Sequence, residues 1–150
     1  MAAHRVAAVA FDAMGTLFSL ERPRVALMEL GAPHAALELW FQRILQCAAT
    51  LTLVDQFAPF DELAAPALRT MLVQLGLDPR RTEPLEALEE LEPAPDAAAA
   101  LELARAAGLT TAVLTNGSID STIRLLERAG LVVQQVVSVD PVQRYKPHAA

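Results

Sequence analysis

Three short apolar runs divide the chain, and polar residues follow each of them at once. The runs are residues 6–11, 109–114 and 132–139. A continuous apolar run that stops at polar or turn-forming residues is typical of a strand buried on both faces of a parallel sheet. The pattern therefore predicts three parallel strands, each with polar side chains just beyond its end.

Elsewhere, apolar residues recur at intervals of three and four, which is the spacing of helices that bury one face. Helices are predicted over residues 21–30, 35–55, 59–75, 78–92, 97–107 and 120–129. Asp96 stands where it would cap the fifth of these helices, and the prolines of residues 93–95 mark a hinge before it. The order of elements predicts an α/β core formed by residues 1–19 and 95–150, interrupted by a helical module over residues 20–94.

The polar residues at the strand ends have complementary chemistry. Asp12 follows the first strand, Thr115 and Asn116 follow the second, and Lys146 lies beyond the third. Because the carboxyl ends of parallel strands meet at one edge of a sheet, these side chains are expected in one cleft. Asp12 is then predicted to be a nucleophile that forms an ester, with Lys146 as its counter-charge. Thr16, Thr115 and Asn116 would donate hydrogen bonds to the carboxylate or the leaving group.

Composition narrows the possible partners and the location. The net charge of −6 argues against nucleic acid or an anionic membrane as a partner, although a cleft can still bind a small anion. No apolar run reaches the roughly 18 residues that a membrane span needs, and the first run lacks a cleavage site. A single cysteine, Cys47, fits a reducing compartment, so a cytoplasmic location is predicted. The three histidines are not spaced as metal ligands, and no metal or other cofactor is predicted.

Two rare residues fall on the predicted site: the chain has one lysine, Lys146, and one asparagine, Asn116. The segments around them and around Asp12 resemble, in order and separation, the first three motifs of the haloacid dehalogenase superfamily of aspartate-nucleophile hydrolases. These segments are residues 11–18 (Phe-Asp-Ala-Met-Gly-Thr-Leu-Phe), 114–118 (Leu-Thr-Asn-Gly-Ser) and 145–147 (Tyr-Lys-Pro).

Within that superfamily the chain is most similar to the L-2-haloacid dehalogenases, on residues 138–147, on Leu39-Trp40 and on residues 75–78. The resemblance implies a Rossmann-like parallel core in which residues 20–94 form a helical cap. It also implies that Asp12 displaces halide from C2 of a short 2-haloacid, that water then hydrolyses the ester, and that no metal takes part. A homodimer is a further implication.

The resemblance also implies a set of substrate-binding residues around the catalytic ones. They are Ala13, Met14, Trp40, Phe41, Gly117 and Ser118. Some of the site residues have a structural alternative. Trp40 and Phe41 could only pack the cap, and Thr115 to Ser118 could form the turn before a helix that Ser118 caps.

Two positions bear on the reaction. Phosphatases of the superfamily carry a second aspartate two residues after the first, where this chain has Met14, and its absence favours halide over phosphate as the leaving group. The residue after the cap tryptophan is normally an arginine that binds halide and the substrate carboxylate, and here it is Phe41. Arg43 would point about 200° away around the same helix.

The family's fourth motif would follow Lys146 at a distance beyond Ala150. The sequence therefore predicts a core that lacks its C-terminal part. Two alternatives to a dehalogenase stay open: a phosphatase or another hydrolase on the same scaffold, and a truncated or degenerate relative without activity.

Overall fold

The structure is a computed structural model that describes residues 6–149. It contains three strands and six helices within that range. In chain order they are β1 (Ala8–Phe11), α1 (Glu21–Glu29), α2 (Ala36–Leu53), α3 (Phe60–Gln74), α4 (Glu83–Glu89), α5 (Ala97–Ala106), β2 (Thr110–Thr115), α6 (Ile119–Ala129) and β3 (Gln135–Ser138). Most bounds lie within two residues of the predicted ones. None of the described helices is both long and apolar enough to cross a membrane.

The strands form one parallel sheet in the order β1-β2-β3. Phe11 of β1 pairs with Val113 of β2, and Thr115 of β2 pairs with Ser138 of β3. All three strands therefore end at the same edge, as the sequence predicts. The parallel α/β architecture is confirmed.

Burial on both faces of the sheet is not observed, and this prediction was wrong. Burial alternates along the strands: Thr111 and Val113 are fully buried, whereas Leu114 is 39% exposed and Val137 is 45% exposed. The helices that contact the strands, α5 with β2 and α6 with β3, thus cover one face only. The other face is apolar and open within residues 6–149.

Helices α1–α4, here called the inserted helices, pack in pairs. Helix α2 contacts α3, and α1 contacts α4. Their shared interior is made of large apolar side chains that are almost fully buried, among them Leu27, Trp40, Ile44, Leu68, Met71 and Leu72. The chain enters and leaves these helices through one paired junction, in which Ser19 N donates to Glu92 O and Ala94 N donates to Leu17 O, both at 2.8 Å.

Two elements are shorter than predicted. Helix α4 begins at Glu83 and not at Asp78, because the Asp78 carboxylate binds the backbone N–H of Arg80 (3.0 Å) and closes a turn. The same carboxylate pairs with the Arg80 guanidinium, and this hydrogen bond lowers the pKa of Asp78 to about 2. Strand β3 begins at Gln135, three residues after the exposed Val132. Asp96 holds the N-cap position of α5, but its side chain makes no capping hydrogen bond, so its predicted capping role was wrong.

Candidate active site

Asp12 and Lys146 meet at the edge where the strands end. Lys146 Nζ donates to Asp12 Oδ1 at 2.7 Å and to the backbone oxygen of Leu114, also at 2.7 Å. The Asp12 side chain is 48% exposed and that of Lys146 is 26% exposed. The ammonium thus fixes one carboxylate oxygen, while Asp12 Oδ2 has no hydrogen-bond partner among residues 6–149. The predicted pair of carboxylate and counter-charge is formed.

A tight turn follows Asp12. Gly15 has φ +82°, a backbone conformation that residues other than glycine rarely adopt. Its N–H donates to Phe18 O at 2.8 Å. Ala13 is buried below this turn, where its backbone oxygen accepts from Phe18 N. Thr16 is exposed, and in the part of the chain described its hydroxyl has no hydrogen-bond partner. The structure therefore does not join Thr16 to the Asp12 carboxylate.

The turn after β2 is held by its own side chains. Thr115 Oγ1 accepts from Gly117 N at 2.9 Å and is buried. Ser118 caps α6, with its Oγ accepting from Ser121 N at 3.1 Å. From β3, Ser138 Oγ donates to Gly117 O at 2.8 Å. Thr115 thus forms the turn before α6 and Ser118 caps that helix, as the structural alternative predicts. Both residues also lie at the edge of the sheet where Asp12 lies.

Asn116 connects this turn to the Lys146 loop. Its Oδ1 accepts from the backbone N–H of Lys146 at 3.0 Å. Because the amide oxygen is used in this way, the amide NH₂ is the group of Asn116 that is left to donate to a ligand. Asn116 thus holds the backbone of the residue that holds Asp12.

The inserted helices fasten the Lys146 loop from the other side, which the sequence did not indicate. Tyr145 N donates to Thr52 Oγ1 at 3.2 Å, and the Tyr145 hydroxyl donates to Ala58 O at 2.7 Å. Arg144 Nη2 pairs with Asp55 Oδ1 at 2.8 Å. Burial of the Tyr145 ring raises the pKa of its phenol far above the usual value. The one available signal was that the only tyrosine of the chain stands next to its only lysine.

Trp40 lies inside the inserted helices and not on a cleft surface. Its side chain is 0% exposed, and its Nε1 donates to Ala64 O of α3 at 2.9 Å. Phe41 is half-buried, and its ring centroid lies 6.3 Å from that of Phe60. Arg43, which lies two residues after Phe41 on α2, is hydrogen-bonded to Gln74 of α3.

Met14 reaches the second site turn. A Cβ placed on Gly117 would lie 3.8 Å from the methyl carbon of Met14, so these two residues are neighbours. Of the six substrate-binding residues predicted, the structure thus brings Ala13, Met14, Gly117 and Ser118 close to the strand ends. Within residues 6–149 no group of three His, Cys, Asp or Glu side chains could hold a metal ion.

A family model described as haloacid dehalogenase-like hydrolase matches residues 6–150 of the chain. The chain belongs to this family. The predicted similarity to its L-2-haloacid dehalogenases is also confirmed. (S)-2-haloacid dehalogenase 1 of Pseudomonas sp. (strain CBS-3) is 36% identical over an alignment of 153 positions, which covers 95% of this chain and 66% of that protein.

Solved structures give the same result for this haloacid dehalogenase-like hydrolase. A dehalogenase crystal structure superposes with a TM-score of 0.87 at 34% identity, over 96% of this chain and 67% of the other. The L-2-haloacid dehalogenase of Xanthobacter autotrophicus, with chloropropionic acid covalently bound, superposes with a TM-score of 0.82 at 33% identity, over 96% and 61%. The chain therefore spans about two thirds of the length of these relatives.

The site contains a carboxylate, Asp12, and a cation, Lys146. It has Met14 at the position two residues after Asp12, where phosphatases of the superfamily carry an aspartate. The Asp12 side chain is half exposed, and among residues 6–149 the cation paired with it is Lys146. A leaving group that departs as a stable anion needs no proton from the protein. The arrangement thus suits displacement of such an anion from carbon.

Proposed function

We propose that the protein is an (S)-2-haloacid dehalogenase that acts on short 2-haloacids through an ester of Asp12. The observation that carries the proposal is the 2.7 Å contact between Lys146 Nζ and Asp12 Oδ1, which leaves the second carboxylate oxygen free. The relatives support the substrate class, because one of them is an (S)-2-haloacid dehalogenase and another holds chloropropionic acid covalently.

In the first step, Asp12 Oδ2 attacks C2 of the 2-haloacid. A carbon–oxygen bond forms, and the carbon–halogen bond breaks with its electron pair, so halide leaves as an anion. In the second step, water attacks the carboxyl carbon of the Asp12 ester, and the acyl carbon–oxygen bond breaks. The 2-hydroxy acid departs with the original Asp12 oxygen and one proton of the water, the water oxygen remains on Asp12, and the second proton is released to solvent as the carboxylate forms again.

The residues around Asp12 have separate tasks in this proposal. Lys146 orients the carboxylate and balances charge near the substrate. The amide NH₂ of Asn116 and the hydroxyl of Thr115 donate hydrogen bonds to the substrate carboxylate or the departing halide. Gly117 and Ser118 shape the adjoining surface, and Ala13 and Thr16 line the turn after the nucleophile.

We also propose that residues 20–94 act as a cap on a core formed by residues 1–19 and 95–150. Support comes from the paired junction at Ser19 and Glu92 and from the contacts of Tyr145 with Thr52 and Ala58, which hold the inserted helices against the site loop. Phe41 and Trp40 belong to this cap. The ring of Phe41 replaces the arginine expected there, so the substrate carboxylate depends more on Asn116 and Lys146.

A cytoplasmic location and a homodimer complete the proposal. The single cysteine, which fits a reducing compartment, supports the location. The resemblance to L-2-haloacid dehalogenases supports the dimer.

The experiment measures halide release from (S)-2-chloropropionate and chloroacetate with EDTA present. We expect release by the wild-type chain and none by Asp12→Asn. Asp96→Asn is the matched control, because the Asp96 side chain is exposed and makes no hydrogen bond at its helix end, and this variant should keep full activity.

A second measurement addresses the covalent step. After turnover in ¹⁸O water, mass spectrometry of the peptide that contains Asp12 should show incorporated label. Magnesium-dependent release of phosphate from an aryl phosphate, without halide release, would identify a phosphatase instead. A folded chain that releases neither product would support the inactive alternative.

A further inference from the structure

One buried hydroxyl joins the two loops that carry the candidate site. Ser138 is the last residue of β3, and it is 5% exposed. Its Oγ donates to Gly117 O at 2.8 Å, in the turn after β2. The same Oγ accepts from Asp140 N at 3.1 Å, at the start of the loop that leads to Lys146. The donor and the acceptor function of this hydroxyl are therefore both used, one on each loop.

The bond to Gly117 holds the residue that follows Asn116. Gly117 is buried, and its N–H donates to Thr115 Oγ1 at 2.9 Å, while its backbone oxygen accepts from Ser138. Side chains from two neighbouring strands thus hold both peptide groups of Gly117. Because the first of these peptide groups also contains the Asn116 carbonyl, the backbone from which the Asn116 side chain projects is held at the same time.

The bond to Asp140 holds the other loop where it leaves β3. Farther along this loop, Lys146 N donates to Asn116 Oδ1 at 3.0 Å, and Lys146 Nζ donates to Asp12 Oδ1 at 2.7 Å. The two loops that Ser138 joins thus meet a second time at Asn116 and Lys146. The result is a closed circuit of hydrogen bonds beside the Asp12 carboxylate.

Ser138 itself lies below the site. It pairs in register with Thr115 of β2, which is 2% exposed, so both residues belong to the buried part of the sheet. A buried serine hydroxyl needs hydrogen-bond partners whether or not the protein has a reaction to perform. A purely structural role and a role in the reaction therefore have to be separated by their effects on Asn116 and Lys146.

We propose that Ser138 is a positioning residue for the reaction at Asp12: through Gly117 and Asp140 it sets where the Asn116 amide and the Lys146 ammonium stand relative to the nucleophile. This inference rests on the proposed dehalogenase function. Displacement at carbon requires several groups to be aligned at once, and a misplacement of about 1 Å can lower a rate about a hundredfold. Loss of one buried oxygen should thus slow the reaction without removing any group that contacts the substrate.

The first test compares two variants that each remove one buried hydroxyl from the sheet. Ser138→Ala should lower kcat for (S)-2-chloropropionate about 10- to 100-fold and leave KM unchanged. Thr111→Val is the matched control, because Thr111 is 0% exposed and its hydroxyl bonds to Gln134, away from the site loops. This variant should keep the wild-type kcat. Both variants should lower Tm by about 5 °C, so stability alone does not account for the difference.

Ser138→Cys tests the same point with less disturbance of the fold. The thiol keeps a weak donor and a weak acceptor at this position. Its kcat should therefore lie between that of the wild type and that of Ser138→Ala. A wild-type kcat in either Ser138 variant overturns the inference.

The second test needs no substrate. Because the chain has one asparagine and one lysine, ¹⁵N labelling with these two amino acids marks Asn116 and Lys146 alone. Hydrogen exchange of the Lys146 backbone N–H, which bonds to Asn116 Oδ1, should be at least about tenfold faster in Ser138→Ala than in Thr111→Val. The signals of the Asn116 side-chain NH₂ should shift in Ser138→Ala and stay in place in Thr111→Val.

The outcomes separate this inference from the proposed function. Halide release by the wild type, with equal kcat and equal Lys146 exchange in Ser138→Ala and Thr111→Val, overturns the inference and leaves the dehalogenase function standing. Faster Lys146 exchange in Ser138→Ala, with no halide released from any 2-haloacid by the wild type, overturns the dehalogenase function. That second result still supports Ser138 as the residue that positions Asn116 and Lys146.

Discussion

The strand-end loops and the inserted helices use their polar groups in opposite ways. At the strand ends, Asp12, Asn116 and Lys146 bind one another and keep one carboxylate oxygen and one amide NH₂ free for a ligand. In the inserted helices, the Nε1–H of Trp40 donates to Ala64 O, the backbone oxygen of a residue in α3. The strand-end loops thus keep bonding capacity free for a ligand, whereas the polar atom of Trp40 is already bonded within the protein. We therefore expect substitutions in the first to change activity and substitutions in the second to change stability.

Lys146→Met should give the largest effect. Loss of the ammonium removes the contact with Asp12 and should reduce kcat/KM about 10²–10³-fold, a magnitude typical of losing one charge-stabilising donor. The free energy of unfolding should fall by only about 1 kcal/mol, because the Asp12 side chain is 48% exposed and water can replace the ammonium there. Halide release and thermal unfolding of the same preparation check both parts. A loss of stability as large as the loss of activity would contradict the division between the two regions.

Trp40→Phe should have the opposite profile. It removes indole volume from a fully buried position and leaves Ala64 O without its donor, which should cost about 2 kcal/mol of unfolding free energy. Urea unfolding followed by circular dichroism measures this cost. With substrate, KM should stay near the wild-type value. A raised KM at unchanged stability would show instead that Trp40 contacts the substrate, as the resemblance implies.

Tyr145 lies where the two regions meet, and it gives a pH dependence. Burial, and then the nearby charges of Asp140, Asp61 and Glu62, raise the pKa of its phenol in the folded state. The stabilisation is therefore fully present below about pH 10, the unfolded value, and is lost as the pH rises from there toward the folded pKa. Absorbance of the single tyrosine should show no tyrosinate at pH 10.5 until urea unfolds the chain.

Tyr145→Phe is the matching substitution. It removes the hydroxyl bond to Ala58 O and should cost about 1 kcal/mol. The alkaline absorbance change should vanish, and activity should fall slightly through looser placement of Lys146. Full ionisation of wild-type Tyr145 near pH 10 in the folded chain would contradict the buried position.

Arg144→Met should give the smallest effect. The Arg144–Asp55 pair joins the same two regions, but the Asp55 side chain is 82% exposed, so solvent screens the interaction. We expect a cost of about 0.5 kcal/mol in urea unfolding, with activity preserved. Asp55→Asn should give the same result, and a double variant should add nothing further.

The strand-end site could be predicted although Asp12 and Lys146 are 134 positions apart, because a pattern marks the neighbourhood of each residue. Asp12, Asn116 and Lys146 each follow an apolar run, and parallel pairing brings the ends of such runs together. Which face of the sheet stays open could not be predicted, because an apolar run is the same whichever face the helices cover. Likewise, the Asp78 turn begins with the residues of a helix start and differs only in how one carboxylate is used.

Contacts between distant segments explain the remaining gaps. The bonds of Tyr145 to Thr52 and Ala58 join residues 87 or more positions apart, and no periodicity signals them. Trp40 was assigned to the substrate by family resemblance, whereas helical spacing alone places it on the buried face of α2.

The burial of Trp40 also makes the chain its own optical reporter. Trp40 is the only tryptophan, and it is enclosed by the inserted helices, so fluorescence emission follows those helices alone, whereas far-ultraviolet circular dichroism averages over all helices and strands. If the emission and circular dichroism transitions coincide in urea, the two regions unfold as one cooperative unit. If emission changes first, the inserted helices open while the sheet that holds Asp12 is still folded.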